Sequence, residues 1–358
     1  RNFNNDKHLQ IMRKISMVDL SAQYQKIKPE IDKAISEVIN STAFINGPAV
    51  KDFQVALEKY LGVKHVIPCA NGTDALQISM MALGLKPGDE VIAPDFTFIA
   101  TAEVIALLGL TPVLVDVEPD TFNISPEAIK KAITPRTRAI VPVHLFGQAA
   151  DMDAIMQIAA EHNLFVIEDA CQSIGADYLN KDNVWKKTGA IGHVGCTSFF
   201  PSKNLGCYGD GGAIFTNNDE LATKIRSVVN HGMTVRYYHD DIGVNSRLDS
   251  IQAAILNIKL QHLNEYAAAR QQVAAAYDKA FGVRPELVIP GKSPKSTHVY
   301  HQYTLQATGV DRNKLQEFLA TKDVPAMIYY PVPIHLQKAY LDPRYKEGDF
   351  PVTEKLSH

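Results

Sequence analysis

Apolar residues fall along the chain in two rhythms. Through most of its length, short runs that are apolar at successive positions alternate with segments whose apolar residues recur every three or four positions. The short runs predict strands over 66–69, 91–93, 113–117, 139–143, 164–168, 196–200 and 213–216. Strands with apolar residues on both faces belong in a parallel sheet covered by helices. Between them, 75–83 and 153–162 predict helices, the second with Ile155, Ile158 and Ala159 on one face. The alternation predicts an α/β domain assembled from βαβ units, with a mostly parallel sheet between helices.

The two ends of the chain depart from that rhythm. Near the start, Ile31, Ile35, Val38 and Ile39 make one stripe, and Pro29 suits a first helical turn, so a helix is predicted over 29–40. After Leu248 the helical period persists to about Phe281, carried by Ile251, Ile255, Ile258 and Leu263, with an alanine-rich stretch over 266–280. Pro285 and Pro290 then punctuate the chain. The tail predicts a strand at 300–307, a helix at 311–321 and a strand at 326–330. The division implied is a large α/β domain over 12–265 and a small α+β domain over 266–358. There are no internal repeats or low-complexity tracts.

Composition narrows the function classes. The 358 residues are 46% hydrophobic and 21% charged, with a formal charge of −3, which argues against general nucleic-acid affinity. The most apolar stretch, 102–117, is broken by Glu103, Thr111, Pro112 and Asp116, so no membrane span is expected. The first ten residues are polar and form no secretory core; the chain begins with Arg1, and Met12 or Met17 is the expected natural start. Cys69, Cys171, Cys196 and Cys207 form no C-x-x-C pair, which suits reduced thiols in a cytoplasmic protein. The twelve histidines show no H-E-x-x-H spacing, so no metal is expected.

Candidate chemistry gathers where strands end. Asn71-Gly72-Thr73 joins a strand to a helix; a helix start presents free N–H groups to a phosphate, although a plain turn capped by Thr73 accounts for the same residues. Asp169 follows a buried strand and needs a partner to stay ionised; a protonated pyridine nitrogen is one, a helix cap another. Gln172, a turn on, is within reach of a ring hydroxyl, while Glu168 points the other way and reads as structural. Lys203 lies in Ser198-Phe199-Phe200-Pro201-Ser202-Lys203, with Leu205 and Gly206 beyond it, a poorly solvated setting that suits imine chemistry better than a surface lysine. Ser198 adds a hydroxyl for a phosphate. Gly206, Gly209, Gly211 and Gly212 match no G-x-G-x-x-G and precede a strand, which sets aside a dinucleotide loop. Phe98 either stacks on a flat ring or packs in the core. Arg247 either clamps an anion or pairs with Asp249. A lysine, a strand-terminal aspartate and a Gly-Thr helix start are together what pyridoxal phosphate requires.

These blocks, in this order, resemble the DegT/DnrJ/EryC1/StrS sugar aminotransferases, within the aspartate aminotransferase-like fold type I of pyridoxal phosphate enzymes. The blocks are Asn71-Gly72-Thr73-Asp74-Ala75-Leu76, Ile167-Glu168-Asp169-Ala170, Ser198 to Lys203, Gly209-Asp210-Gly211-Gly212 and Asn245-Ser246-Arg247-Leu248-Asp249; the likeness runs from Met17 to at least Gln337. The resemblance implies that Lys203 carries the cofactor and shuttles the proton, Asp169 pairs with the ring nitrogen and Gln172 with the ring hydroxyl. It further implies that Gly72, Thr73 and Ser198 hold the phosphate, Phe98 stacks on the ring, and Asn245 reaches the cofactor phosphate of a neighbouring subunit, hence a homodimer with shared sites. Tyr329-Tyr330-Pro331-Val332-Pro333-Ile334-His335-Leu336-Gln337 is similar to enzymes that aminate C3 of nucleotide-linked 3-keto sugars. Among these the likeness is to those acting on UDP-2-acetamido-2-deoxy-3-oxo-glucuronate in surface polysaccharide biosynthesis, with L-glutamate as donor and 2-oxoglutarate as product. Arg247, Tyr330 and His335 are expected to face that substrate. Asn204 departs from the proline common in this subgroup, and the chain ends at His358, short of the family's usual terminus. The alternatives carried forward are a TDP-3-keto- or 4-keto-6-deoxyhexose aminotransferase and a non-catalytic, cofactor-bound regulator. A sugar dehydratase, in which histidine replaces the lysine, is disfavoured by Lys203.

Overall fold

Asp19 caps the first helix, accepting from Ala22 N at 2.9 Å, and α1 (Leu20–Ser41) follows with Ile27, Ile31 and Val38 buried. The structure is a computed structural model describing residues 15–358, so Met12 lies outside the described residues. α1 begins well before the expected 29–40. Pro29 lies inside it on the exposed side, where the cap and the buried stripe carry the helix past one missing hydrogen bond. α2 (Pro48–Leu61), absent from the sequence expectations, starts on a proline and buries Val50, Phe53, Leu57 and Leu61.

The βαβ alternation then appears as predicted. β1 (His65–Cys69), α3 (Gly72–Ala82), β2 (Glu90–Pro94), α4 (Ala100–Leu107), β3 (Thr111–Val115), α5 (Pro126–Ala132), β4 (Thr137–Ile140), α6 (Met152–His162) and β5 (Phe165–Asp169) succeed one another. A hairpin, β6 (Asp177–Leu179) and β7 (Trp185–Lys187), leads to β8 (Val194–Ser198), β9 (Gly212–Thr216) and α7 (Asp219–Val228). Seven strands form one sheet in the order β1-β9-β8-β5-β4-β2-β3. Only β9 runs against its neighbours in that sheet. Successive residues feed opposite faces: Val91 packs with Leu76 and Met80 of α3, and Ile92 with Ile155 of α6. Burial on both faces accounts for the unbroken apolar runs.

Beyond the sheet, β10 (Met233–Val235) and β11 (Tyr238–His239) form a small hairpin, and the long helical stretch divides at His262 into α8 (Ser250–Gln261) and α9 (Leu263–Phe281). The expected strand at 300–307 pairs only at its end, where β13 (Gln306–Ala307) meets β12 (Leu287–Val288). α10 (Arg312–Ala320) follows. The expected strand at 326–330 does not form. Tyr329 and Tyr330 instead pack against the core cluster that holds Phe96 and Phe146, and Pro331 and Pro333, which have no N–H to give a ladder, follow at once. Ile334 and Phe350 pack against Ala102 and Leu114, and α11 (Pro351–Leu356) ends the chain. No described helix is long and apolar enough to cross a membrane, and no described group of His, Cys, Asp and Glu gathers as metal ligands.

Candidate active site

β1, β2, β5 and β8 point the same way, and their carboxyl ends form one rim of the sheet, the place where open α/β sheets bind ligands. At the end of β1, Asn71 caps α3, its Oδ1 accepting from Asp74 N at 2.7 Å. The amides of Gly72 and Thr73, in the first turn, have no intrahelical acceptor. A Cβ on Gly72 would stand 2.7 Å from Ser198 Cβ and 2.8 Å from Cys171 Sγ, so only glycine lets the ends of β1, β5 and β8 come this close. Ser198 Oγ lies in this crowd and accepts from Phe200 N at 3.2 Å.

Asp169 closes β5, only 5% exposed. Thr101 Oγ1 of α4 donates to its Oδ2 at 2.9 Å, and Cys171 N donates to its Oδ1 at 3.2 Å. Among the described residues no ion pair reaches this carboxyl group, so it is held by neutral donors alone. Glu168, next to it, faces the other side of the sheet as expected. It accepts from His144 Nε2 at 2.8 Å and from the amides of Gly189, Ile191 and Gly192 at 2.8, 2.7 and 2.5 Å. Because His144 Nδ1 accepts from Ala150 N, its proton sits on Nε2, and the pair anchors the strand that carries Asp169.

Lys203 follows β8 on a turn, its amide donating to Phe200 O at 2.8 Å. Phe199 and Leu205 are buried as the flanks implied, Phe200 is exposed, and Lys203 is half-buried. Its charge is felt by the neighbouring groups. Burial holds the His301 imidazole well below its usual range, with Lys203 and then Arg270 adding to the effect. Burial likewise pushes the Cys171 thiol well up, Asp169 raising it further and Lys203 opposing. Asn204 Nδ2 donates to Val299 O at 3.0 Å, tying the lysine turn to the segment after β12.

Gln172 Oε1 accepts from Phe146 N at 2.7 Å, and its Nε2 donates to Tyr330 Oη at 3.3 Å, so Tyr330 stands at the same rim. Phe98 is 56% exposed, one turn before Thr101. Asn245 is exposed and Arg247 half-buried; no ion pair joins Arg247 to Asp249 among the described residues. Between them Ser246 is buried, accepting from Ala70 N at 2.9 Å and donating to Asp74 Oδ2 at 2.6 Å, which fastens the block to the start of α3. His335 differs from expectation. It is buried, its amide donates to Asp95 Oδ1 at 2.8 Å, and its Nδ1 lies 2.6 Å from Asp95 Oδ2. An imidazole enclosed in that pair has no open face for a substrate. Thr101, Ser246 and the Asp95–His335 pair escaped the sequence reading; a hydroxyl inside an apolar helix, another in a loop and a histidine inside a tyrosine–proline block carry no local signal of such partners.

The rim suits a phosphorylated pyridine. It offers a buried carboxylate without a cation, a helix start crowded to glycine size against a serine, and a half-buried lysine whose charge reaches Cys171 beside them.

Comparison with known proteins bears on the same rim. The model of the DegT/DnrJ/EryC1/StrS aminotransferase family matches residues 25–358. A UDP-2-acetamido-2-deoxy-3-oxo-D-glucuronate aminotransferase of Pseudomonas aeruginosa is 49% identical over 96% of this chain and 94% of its own. A protein of Geobacillus stearothermophilus named pleiotropic regulatory protein is 48% identical over 96% of this chain and 91% of its own. The crystal structure of S. venezuelae DesV in complex with a ketimine intermediate superposes with a TM-score of 0.91 at 38% identity, covering 96% of this chain and 91% of that one.

Proposed function

This chain belongs to the DegT/DnrJ/EryC1/StrS aminotransferase family, and from that premise we propose that it moves an amino group from L-glutamate to C3 of UDP-2-acetamido-2-deoxy-3-oxo-glucuronate. It is a pyridoxal phosphate-dependent sugar aminotransferase. The observation that carries the reading is the meeting of Asp169, Gly72 and Lys203 at one rim of the sheet.

When bound, pyridoxal phosphate supplies an electron sink for the charge left at a carbon that has lost its proton. Asp169, buried and held by Thr101 and the Cys171 amide, would accept a hydrogen bond from the protonated ring nitrogen. The free amides of Gly72 and Thr73, with Ser198, hold the phosphate at the positive end of α3. Gln172 spans from Phe146 N to Tyr330 and would serve as the partner of the ring hydroxyl. Phe98, exposed at the rim, would cover one ring face. Lys203 Nζ would tether the cofactor as an imine, and its free amine is the group placed to move a proton during transfer. Arg247 binds the sugar carboxylate or the pyrophosphate as a bidentate donor, and Tyr330 lines the sugar side. Asn245 serves the phosphate of a second copy; its exposure, and the exposed apolar Tyr237, Tyr238 and Ile242 beside it, support a homodimer with shared sites.

The test is a panel of UDP- and TDP-linked 3- and 4-amino sugars run in reverse with 2-oxoglutarate, scoring glutamate. The UDP-3-amino uronate is expected to react at least about tenfold better in kcat/KM, and Lys203→Ala to lose about 10²–10⁴-fold. Preference for a 4-amino sugar overturns the C3 assignment. Bound cofactor that never exchanges an amino group with glutamate favours instead a regulatory role, the reading suggested by the name of the Geobacillus relative.

A further inference from the structure

We propose that Thr101 is a positioning residue that keeps the shared proton on the cofactor's ring nitrogen by holding Asp169, an inference that rests on Asp169 being that nitrogen's partner. Thr101 is fully buried in the first turn of α4, and its hydroxyl donates to Asp169 Oδ2 at 2.9 Å. The other oxygen, Oδ1, accepts from Cys171 N at 3.2 Å. The two carboxylate oxygens are therefore tied from two parts of the chain, which fixes the plane of the group. The strand beneath is pinned as well: Asp169 N donates to Pro142 O at 2.9 Å, and Asp169 O accepts from His144 N at 3.0 Å.

A hydroxyl has one proton to give. Thr101 gives it to Oδ2, and Thr97 Oγ1 stands 3.5 Å from its oxygen, so any bond between the two hydroxyls is one that Thr97 donates. Both are neutral. They draw charge from Oδ2 without cancelling it, which is what a carboxylate must have to hold a pyridinium and yet leave the proton on nitrogen. A lysine or arginine there would quench the anion; an apolar side chain would leave Oδ2 buried and unsatisfied, and the shared proton would move toward it. The same turn sets the ring face, since Thr101 N donates to Phe98 O at 3.3 Å. One helix start thus orients two of the groups assigned to the cofactor.

The experiment loads wild type, Thr101→Val and Thr101→Ser with pyridoxal phosphate isotopically labelled at the ring nitrogen and records its nitrogen NMR shift. Free cofactor in acid and in alkali gives the two reference positions. Wild type and Thr101→Ser are expected at the pyridinium position, and Thr101→Val displaced toward neutral pyridine. The glutamate half-reaction of Thr101→Val should slow by about 10- to 100-fold, the scale of one hydrogen bond to a charged group, and recover in Thr101→Ser. If Thr101→Val does not fold, Thr101→Ala removes the same donor without crowding, and the same displacement is expected. An unmoved pyridinium shift in the valine or alanine variant overturns the role of Thr101 and leaves Asp169 in place. A neutral-pyridine shift in wild type overturns the reading of Asp169 itself, and Thr101 with it.

Discussion

A single methyl group decides the geometry at the start of α3. Gly72 has no room for one, because a Cβ there would stand 2.7 Å from Ser198 Cβ and 2.8 Å from Cys171 Sγ. Gly72→Ala must push the helix start away from β8, and overpacking of this kind costs about 1–3 kcal/mol. If the phosphate is held between the α3 amides and Ser198, cofactor affinity should fall by at least about tenfold, since a displacement worth about 1.4 kcal/mol already suffices. Titrating the apo-variant with pyridoxal phosphate checks this, and unchanged affinity would move the phosphate elsewhere. At this scale the sequence was legible for residues whose neighbours in the chain carry the signal: Asp169 after a buried run, Lys203 among Phe199, Leu205 and Gly206. Thr101 was not legible. Its partner is 68 positions away, and a threonine in an apolar helix reads as core until the fold brings Asp169 to it. His335 shows the converse, since a promising motif position turned out to be enclosed by Asp95.

Between elements, α8 props the turn that carries Lys203. Lys259 is only 1% exposed, donates from Nζ to Gly206 O at 2.8 Å and lies over the Tyr208 ring at 4.3 Å. No ion pair reaches it among the described residues, and burial pulls its ammonium down from 10.5 to about 8, slightly opposed by Cys207. Below that value the group is charged whether folded or not. From about 8 to 10.5 the unfolded chain keeps the proton and the folded chain does not, so stability from this group rises with pH across that window. Lys259→Met lacks the rise. The melting-temperature difference, variant minus wild type, should therefore fall between pH 8 and 10.5 and be level below; a flat difference throughout would mean that Lys259 remains charged in the fold. Elements were legible where periodicity and burial agree, as in β1 to β5. They were less so where chemistry overrides pattern: α1 runs past Pro29 because its buried face outweighs one lost bond, and 326–330 gives its side chains to the Phe96–Phe146 cluster instead of a ladder.

Across the molecule, the end of the chain is latched to the rim of the sheet beside the candidate site. Asp95, at the end of β2, accepts from Ile334 N through its carbonyl at 3.3 Å and from His335 N through Oδ1 at 2.8 Å, and its Oδ2 meets His335 Nδ1 at 2.6 Å. Glu354 of α11 lies 3.3 Å from His335 Nε2, at ion-pair distance but not aligned for a hydrogen bond. Phe98 stands three residues beyond Asp95, so the latch and the proposed ring face share one loop. Burial raises the Asp95 carboxyl from 3.8 to about 6, with His335 pulling it back and Asp116 adding slightly. Between those values the folded chain keeps a proton that the unfolded chain has lost, so the stability contributed by this group falls as pH rises from about 4 to about 6 and is level above. Asp95→Asn keeps the shape and cannot titrate. Its melting temperature relative to wild type should climb through that window by an amount on the order of 2–3 kcal/mol in stability, then stay constant. The relative value at neutral pH is a separate reading: if the variant is the less stable there, the hydrogen bonds that Asp95 accepts from His335 outweigh the burial of its carboxylate, although the group contributes most below about pH 4. A difference that does not change with pH would show Asp95 ionised throughout, with His335 strong enough to cancel burial altogether.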